Sequence, residues 1–293
     1  MKNKLISILL LTFITLPICS CGNQAASSTN TSQDTVSSMD TVVDTAAPTA
    51  VPMEEQLLAE YEGIRVSAVN WDAENNTLLI EAENTSSSDC IIQFTETSVN
   101  DFMIDPLFSL NVNSQTTANG ESQFDTDAFR ECNIDSASKI QLKACILDAS
   151  SFETLYISQP VTIQTGQPQQ EEIASLIDTS SAVSELDGIQ VVSLGIEDDP
   201  DWGKLWKLYI TNTSDEDVVL YAPDIILNNT TVDVTFSKLI GSGKKAVGTI
   251  IIMQDDLNLH QISDISSAST HLQIQEPETY TSRENTILLE YNK

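Results

Sequence analysis

The chain is poor in the residues on which most catalysis and metal binding depend. Its 293 residues include two histidines, His260 and His271. No GxSxG elbow, HExxH helix or CxxC pair is present, so Ser-His hydrolysis, zinc proteolysis and dithiol exchange all lack their working groups. Cysteine is scarce too, with five residues, far below the density of a small disulfide scaffold, and the fold is expected to rest on an apolar core. Positive charge is the clearest shortage: 13 Lys and Arg stand against 43 Asp and Glu, and none falls between Lys4 and Arg65. The resulting net charge of −30 repels phosphate backbones and anionic lipid surfaces, which excludes nucleic acid as a partner.

Only one long apolar run exists, Leu5 to Ile18, and it is short. Fourteen residues at helical rise cover roughly 21 Å, against a hydrocarbon core of roughly 30 Å. Lys2 and Lys4 precede it and LPICSCGNQ follows it, the profile of a signal peptide rather than a membrane span. Ser20 before Cys21 offers the small residue a signal peptidase needs, whereas Ile18 before Cys19 does not. A metal site at Cys19 and Cys21 would need further ligands, yet residues 22 to 56 contain no His or Cys. Cleavage after Ser20 would remove Lys2 and Lys4 from the 13 cations, leaving 11 against 43 acids. If Cys21 then carries lipid, Cys90, Cys132 and Cys145 remain, and an odd number means at least one free thiol.

Residues 21–53 are rich in Ser, Thr, Ala, Asn and Gln and read as a flexible, disordered tether. From Glu54 the pattern changes to short segments rich in β-branched residues with period-two alternation. In KIQLKACI, for example, Ile140, Leu142, Ala144 and Ile146 share one face while Gln141, Lys143 and Cys145 share the other. The second half repeats the first. Residues 84–120 align without gaps on 212–248 at an offset of 128, with eleven identities in thirty-seven positions, among them Asn84/Asn212, Asp89/Asp217, Asn100/Asn228 and Gly120/Gly248. EGIRV at 62–66 matches DGIQV at 187–191 at an offset of 125, so the second copy has three additional residues, around EDDPDWGK. The expected architecture is all-β: a signal peptide over 1–20, the tether over 21–53, and two tandem immunoglobulin-like β-sandwich domains over 54–166 and 167–293.

Few groups suggest chemistry. At an offset of 130, which best matches KIQLKACI to THLQIQEP, His271 falls on Gln141 and reads as an exposed strand histidine. GSGKKA, 241–246, lacks full P-loop spacing and reads as a strand connection with solvated lysines. EDDPDW is the strongest candidate for recognition, with Asp198, Asp199 and Asp201 selecting a basic partner and Trp202 supplying contact area; it lacks the spacing and Gly of an EF-hand, and no metal or cofactor is expected. Trp206 reads as core.

The stretch around Ser20 and Cys21 resembles the lipobox of bacterial lipoproteins, with Cys21 as the acceptor of a diacylglyceryl anchor. Together with the EGI/DGI opening, the NTS turn, the VND/LNN segment and the GKKA connection, the chain resembles lipoproteins of Gram-positive, clostridial-type bacteria. Those carry immunoglobulin-like domains of the immunoprotective extracellular type. The resemblance implies a lipid-anchored, extracytoplasmic protein at the cell membrane, acting without catalysis as a binding module for a protein or surface ligand, or else as an accessory subunit of a membrane complex. It supplies no catalytic residues.

Overall fold

The computed structural model describes residues 51–169 and 183–293. The expected signal peptide, Cys21 and nearly all of the expected tether lie outside the described residues, as does much of the segment joining the copies. The described chain is almost entirely antiparallel β-structure and sandwich-like.

In the first copy, β1 (Gln56–Tyr61) and β2 (Ile64–Asp72) form a hairpin through Glu62 and Gly63, both at positive φ, as a two-residue primed turn requires. There follow β3 (Thr77–Asn84), β4 (Cys90–Val99), β5 (Phe102–Met103), β6 (Ser109–Val112) and β7 (Thr116–Gln123). A short helix, α1 (Thr126–Glu131), precedes β8 (Lys139–Asp148), β9 (Thr154–Ile157) and β10 (Val161–Gln164). The second copy runs β11 (Val183–Leu186), β12 (Ile189–Asp199), β13 (Gly203–Asn212), β14 (Val218–Leu227), β15 (Thr230–Ile240) and β16 (Lys245–Met253). It closes with α2 (Gln254–Leu259), β17 (Ser267–Gln275) and β18 (Ser282–Asn292).

Two apolar cores result. The first lies between β1-β2-β3-β7 and the β4, β8 and β10 strands, and holds Val66, Leu78, Ile80, Ile92, Leu142 and Ile146. The second lies between β11, β12, β13, β16 and the sheet β15-β14-β17-β18, around Trp206, Leu208, Leu220, Ile250 and Leu272. The alternation read in KIQLKACI is realised: Ile140, Leu142, Ala144 and Ile146 are buried and the intervening residues half-buried. Each such Ile or Leu side chain contributes roughly 1.5–3 kcal/mol on leaving water.

The polar identities between copies lock turns. Asn84, fully buried, donates through Nδ2 to the carbonyls of Ser88 (2.8 Å) and Val112 (3.2 Å), and its Oδ1 accepts from Ser86 N (2.9 Å) and Oγ (2.7 Å). Asn212 does the same with Glu216 (2.8 Å), Ile240 (3.0 Å) and Ser214 (2.9 and 2.6 Å). Asn100 and Asn228, both at positive φ, each accept from the backbone and hydroxyl groups opening β8 and β17, at Ser138–Lys139 and Ser266–Ser267. Gly120 and Gly248 share a packing reason: a Cβ at either would lie 3.0 Å from the ring of Phe108 or Phe236.

The strand register corrects one alignment. Val99 pairs with Ile140 and Leu227 with Ala268, so the offset of 128 persists through β8 and β17 and the expected offset of 130 does not hold. His271 therefore stands where Lys143 does, not Gln141; it is exposed, its Nδ1 3.1 Å from Thr286 Oγ1. A slip of two residues preserves which side chains face inward, so alternation alone cannot detect it.

The copies join edge to edge. Phe102 of β5 pairs in parallel with Lys245 of β16, which makes a single ten-stranded sheet from strands of both copies. The Asp101 carboxylate receives Lys139 Nζ (2.7 and 2.9 Å) and Lys244 Nζ (2.7 Å), while its carbonyl accepts from Lys245 N (2.9 Å). The lysines of GSGKKA are thus not the solvated pair expected: Lys244 is largely covered, and Lys245 Nζ lies 5.8 Å from the Phe102 ring centroid. Met103 enters the second core and Val247 packs on the first. Burial alone would raise the Asp101 carboxyl, but hydrogen bonds and charge from Lys139 and Lys244 outweigh it and hold it below the usual range.

Candidate functional site

The three additional residues of the second copy lengthen one hairpin. In the first copy β2 and β3 close at Asp72↔Thr77 with a four-residue turn, 73–76. The corresponding rung is Glu197↔Leu205, beyond which β12 and β13 add two more, Asp198↔Lys204 and Asp199↔Gly203. The bulge between Ala68 and Asn70 recurs between Ser193 and Gly195, so the strands match up to that point.

The expected site residues have separate tasks at this tip. Asp199 Oδ1 accepts from Asp201 N (2.9 Å) and Trp202 N (2.8 Å), shaping the turn as Asp72 does for Glu74 and Asn75. Asp198 is ion-paired with Lys204. Asp201 is exposed and Trp202 is 50 % exposed, whereas Trp206, four residues on, is fully buried with Nε1 donating to Ser193 Oγ at 2.8 Å. The four residues share a turn, but their carboxylates do not form a common focus; among the described residues no group of three His, Cys, Asp or Glu is placed to hold a metal ion.

The tip is tied to the start of α2. Trp202 O accepts from Gln254 N at 2.9 Å, and Gly203, at φ 119°, runs so close that a Cβ would lie 2.7 Å from Gln254 N and Ile252 O. Between the tip and α2 is a depression of about 490 Å³ bounded by Asp198, Lys204, Gln254, Leu257, Asn258 and Gln261. Gln254 Nε2 donates to Asn258 Oδ1 at 3.0 Å. None of these α2 residues drew attention in the sequence, because a six-residue helix is shorter than the window over which helical periodicity shows. At its base the hairpin meets the first copy, where Lys207 bridges Glu197 (2.7 Å) and Glu131 of α1 (2.9 Å).

No protein-family model matches the chain, and no curated protein matches it. Among solved structures, it is similar to the YadV chaperone at 9 % identity, over 79 % of this chain and 100 % of that one, with a TM-score of 0.26. An exo-chitosanase CsxA variant from Amycolatopsis orientalis gives 12 % identity over 79 % of this chain and 26 % of that one, with a TM-score of 0.25. A protein of unknown function from Porphyromonas gingivalis W83 gives 12 % identity over 78 % and 100 %, with a TM-score of 0.21. Similarities at this level carry no argument about function.

Proposed function

We propose that the protein is a non-enzymatic binding module, built of two immunoglobulin-like sandwiches and held by a diacylglyceryl group on Cys21 at the outer side of the cell membrane. The observation that carries the binding role is the asymmetry between copies: on shared turn-locking residues, one hairpin is longer, lines a depression through Asp198 and Lys204, and presents a half-exposed tryptophan at its tip. The anchor rests on the Ser20–Cys21 sequence and on a net charge that gives the body no attraction of its own for anionic lipid. Asp198 and Asp199 are engaged within the hairpin, so among the expected acids Asp201 is left with Trp202 to meet a partner.

Two experiments test the reading. Cys21→Ala should shift the protein from the membrane fraction to the medium, and an unmodified mature N-terminus elsewhere in the chain would refute the anchor. Replacing residues 198–204 by the four-residue turn of the first copy should abolish ligand capture by the intact lipoprotein. Capture that survives this graft would remove the hairpin from consideration.

The accessory-subunit reading draws on a different observation. Phe152, Leu155 and Ile157 are exposed in and beside β9, which pairs with β8. Capture lost on substituting these three residues by Ser, and unaffected by the hairpin graft, would favour it.

A further inference from the structure

We infer that the depression between the extended hairpin and α2 binds an uncharged saccharide. The inference rests on the hairpin being a recognition surface and names the chemistry it recognises. A volume of about 490 Å³ falls within the size range of small-ligand sites. Beside apolar Leu257 and Ile262 and the Asp198–Lys204 pair, its wall carries groups that both give and accept hydrogen bonds: the side-chain amides of Gln254, Asn258 and Gln261, and Ser263. The Gln254–Asn258 hydrogen bond orients both amides, leaving Gln254 Oε1 as an acceptor and Asn258 Nδ2 as a donor. Charge in the wall is balanced, because Asp198 and Lys204 neutralise each other across the hairpin.

This set disfavours other ligand classes. A phosphate or sulfate would find one lysine, already paired, beside a carboxylate. A hydrophobic ligand would leave several amides without partners at the cost of their desolvation. Sugar hydroxyls are each donor and acceptor, and they match a wall of amides and a hydroxyl without needing net charge. Trp202 does not line the depression, but its carbonyl accepts from Gln254 N, which does, and its half-exposed ring is the aromatic surface of the same hairpin tip available to the apolar face of a pyranose. The first copy has no equivalent: it lacks the two additional rungs, and Thr126, Arg130, Asn133 and Asp135 stand where Gln254, Asn258, Gln261 and Ser263 do.

The test uses the full-length lipoprotein in detergent, titrated with the β-1,4 tetramer of N-acetylglucosamine, maltotetraose, mannotetraose and an oligolysine peptide, at low and high salt. Trp71 and Trp206 are buried, so a change in exposed-tryptophan emission reports Trp202. At least one saccharide should bind saturably, with an affinity indifferent to salt and weakened about tenfold or more by Gln254→Ala/Asn258→Ala and by Trp202→Ala. Unchanged thermal unfolding would show that both variants remain folded. No saturable binding of any of the three saccharides, or binding that survives the double variant, overturns the inference. Salt-sensitive oligolysine binding, lost on the hairpin graft but kept in the double variant, would overturn the saccharide while leaving the hairpin as the recognition surface.

Discussion

The two copies agree where side chains bind the backbone and differ where they face one another. Asn84 and Asn212, Thr85 and Thr213, and Asp89 and Asp217 make the same bonds in both halves, to the same turns. At the junction the correspondence stops. Asp101, Phe102 and Glu131 of the first copy meet Lys244, Lys245, Tyr209 and Lys207 of the second. At an offset of 128, the outward-facing counterparts of the first three are Asn229, Thr230 and Leu259, and those of the other four are Thr116, Thr117, Glu81 and Leu79. The comparison teaches that repeat identity records turn geometry and close packing within each copy, whereas the residues that join the copies have diverged. The outer ends lack the aspartate, lysines and rings that join the copies at the junction.

The cores provide the severest test of equivalence. In the first copy Trp71 pairs across the hairpin with Leu78; in the second Ile196 pairs with Trp206. The large ring has exchanged strands while the rung keeps one aromatic and one aliphatic residue. Trp206→Ala should cost about 3–5 kcal/mol by denaturant unfolding, as truncation of a buried aromatic does. Ile196→Trp/Trp206→Leu should recover much of that loss. A double variant no more stable than Trp206→Ala would mean that the two rungs are not interchangeable.

Next in size are the buried asparagines. Asn84→Ala and Asn212→Ala each orphan two carbonyls and a backbone N–H, and each should lose about 2–3 kcal/mol. Near-equal losses would support the shared framework, while a difference between them of more than about 1 kcal/mol would show that one copy leans on this lock less.

The sequence displayed this framework well and the junction poorly. Alternation announced the buried face of β8, and the ungapped run of identities announced the repeat, because each follows from local rules of pleat and turn. It also separated Trp206 from Trp202 correctly, since only the former aligns with a strand residue. Lys244 and Asp101 meet across 143 positions, and nothing local distinguishes a lysine covered by a neighbouring sheet from one in water. The wall of the depression was hidden for the same reason: Gln254 and Asn258 look like ordinary surface residues until the longer hairpin is set beside them.

The junction yields a smaller effect with a defined pH sense. Asp101 is 38 % exposed, so solvent screens its pairs, and Asp101→Asn should cost about 1 kcal/mol. Its carboxyl is held below the ordinary value of about 3.9, so the stabilisation is complete above that pH and is lost as pH falls through the lower folded-state value. Acid titration of the wild type should therefore reveal a destabilisation that Asp101→Asn lacks. An identical acid profile in the two proteins would remove Asp101 from the account of how the copies hold together.

The smallest stability effect belongs to Trp202, and its smallness is the point. Trp202 and Trp206 lie four residues apart on one hairpin, yet one ring is half in solvent and the other wholly in the core. The backbone of Trp202, not its ring, holds the tip: its N–H binds Asp199 and its carbonyl binds the Gln254 N–H, and both survive truncation of the side chain. Trp202→Ala should therefore change unfolding free energy by no more than about 0.5 kcal/mol, the range of ordinary surface substitutions. A large hydrophobic surface held in water without structural need is what a contact residue requires. A loss of 2 kcal/mol or so would place the ring among the supports of the fold, and the asymmetry between copies would then concern stability rather than recognition.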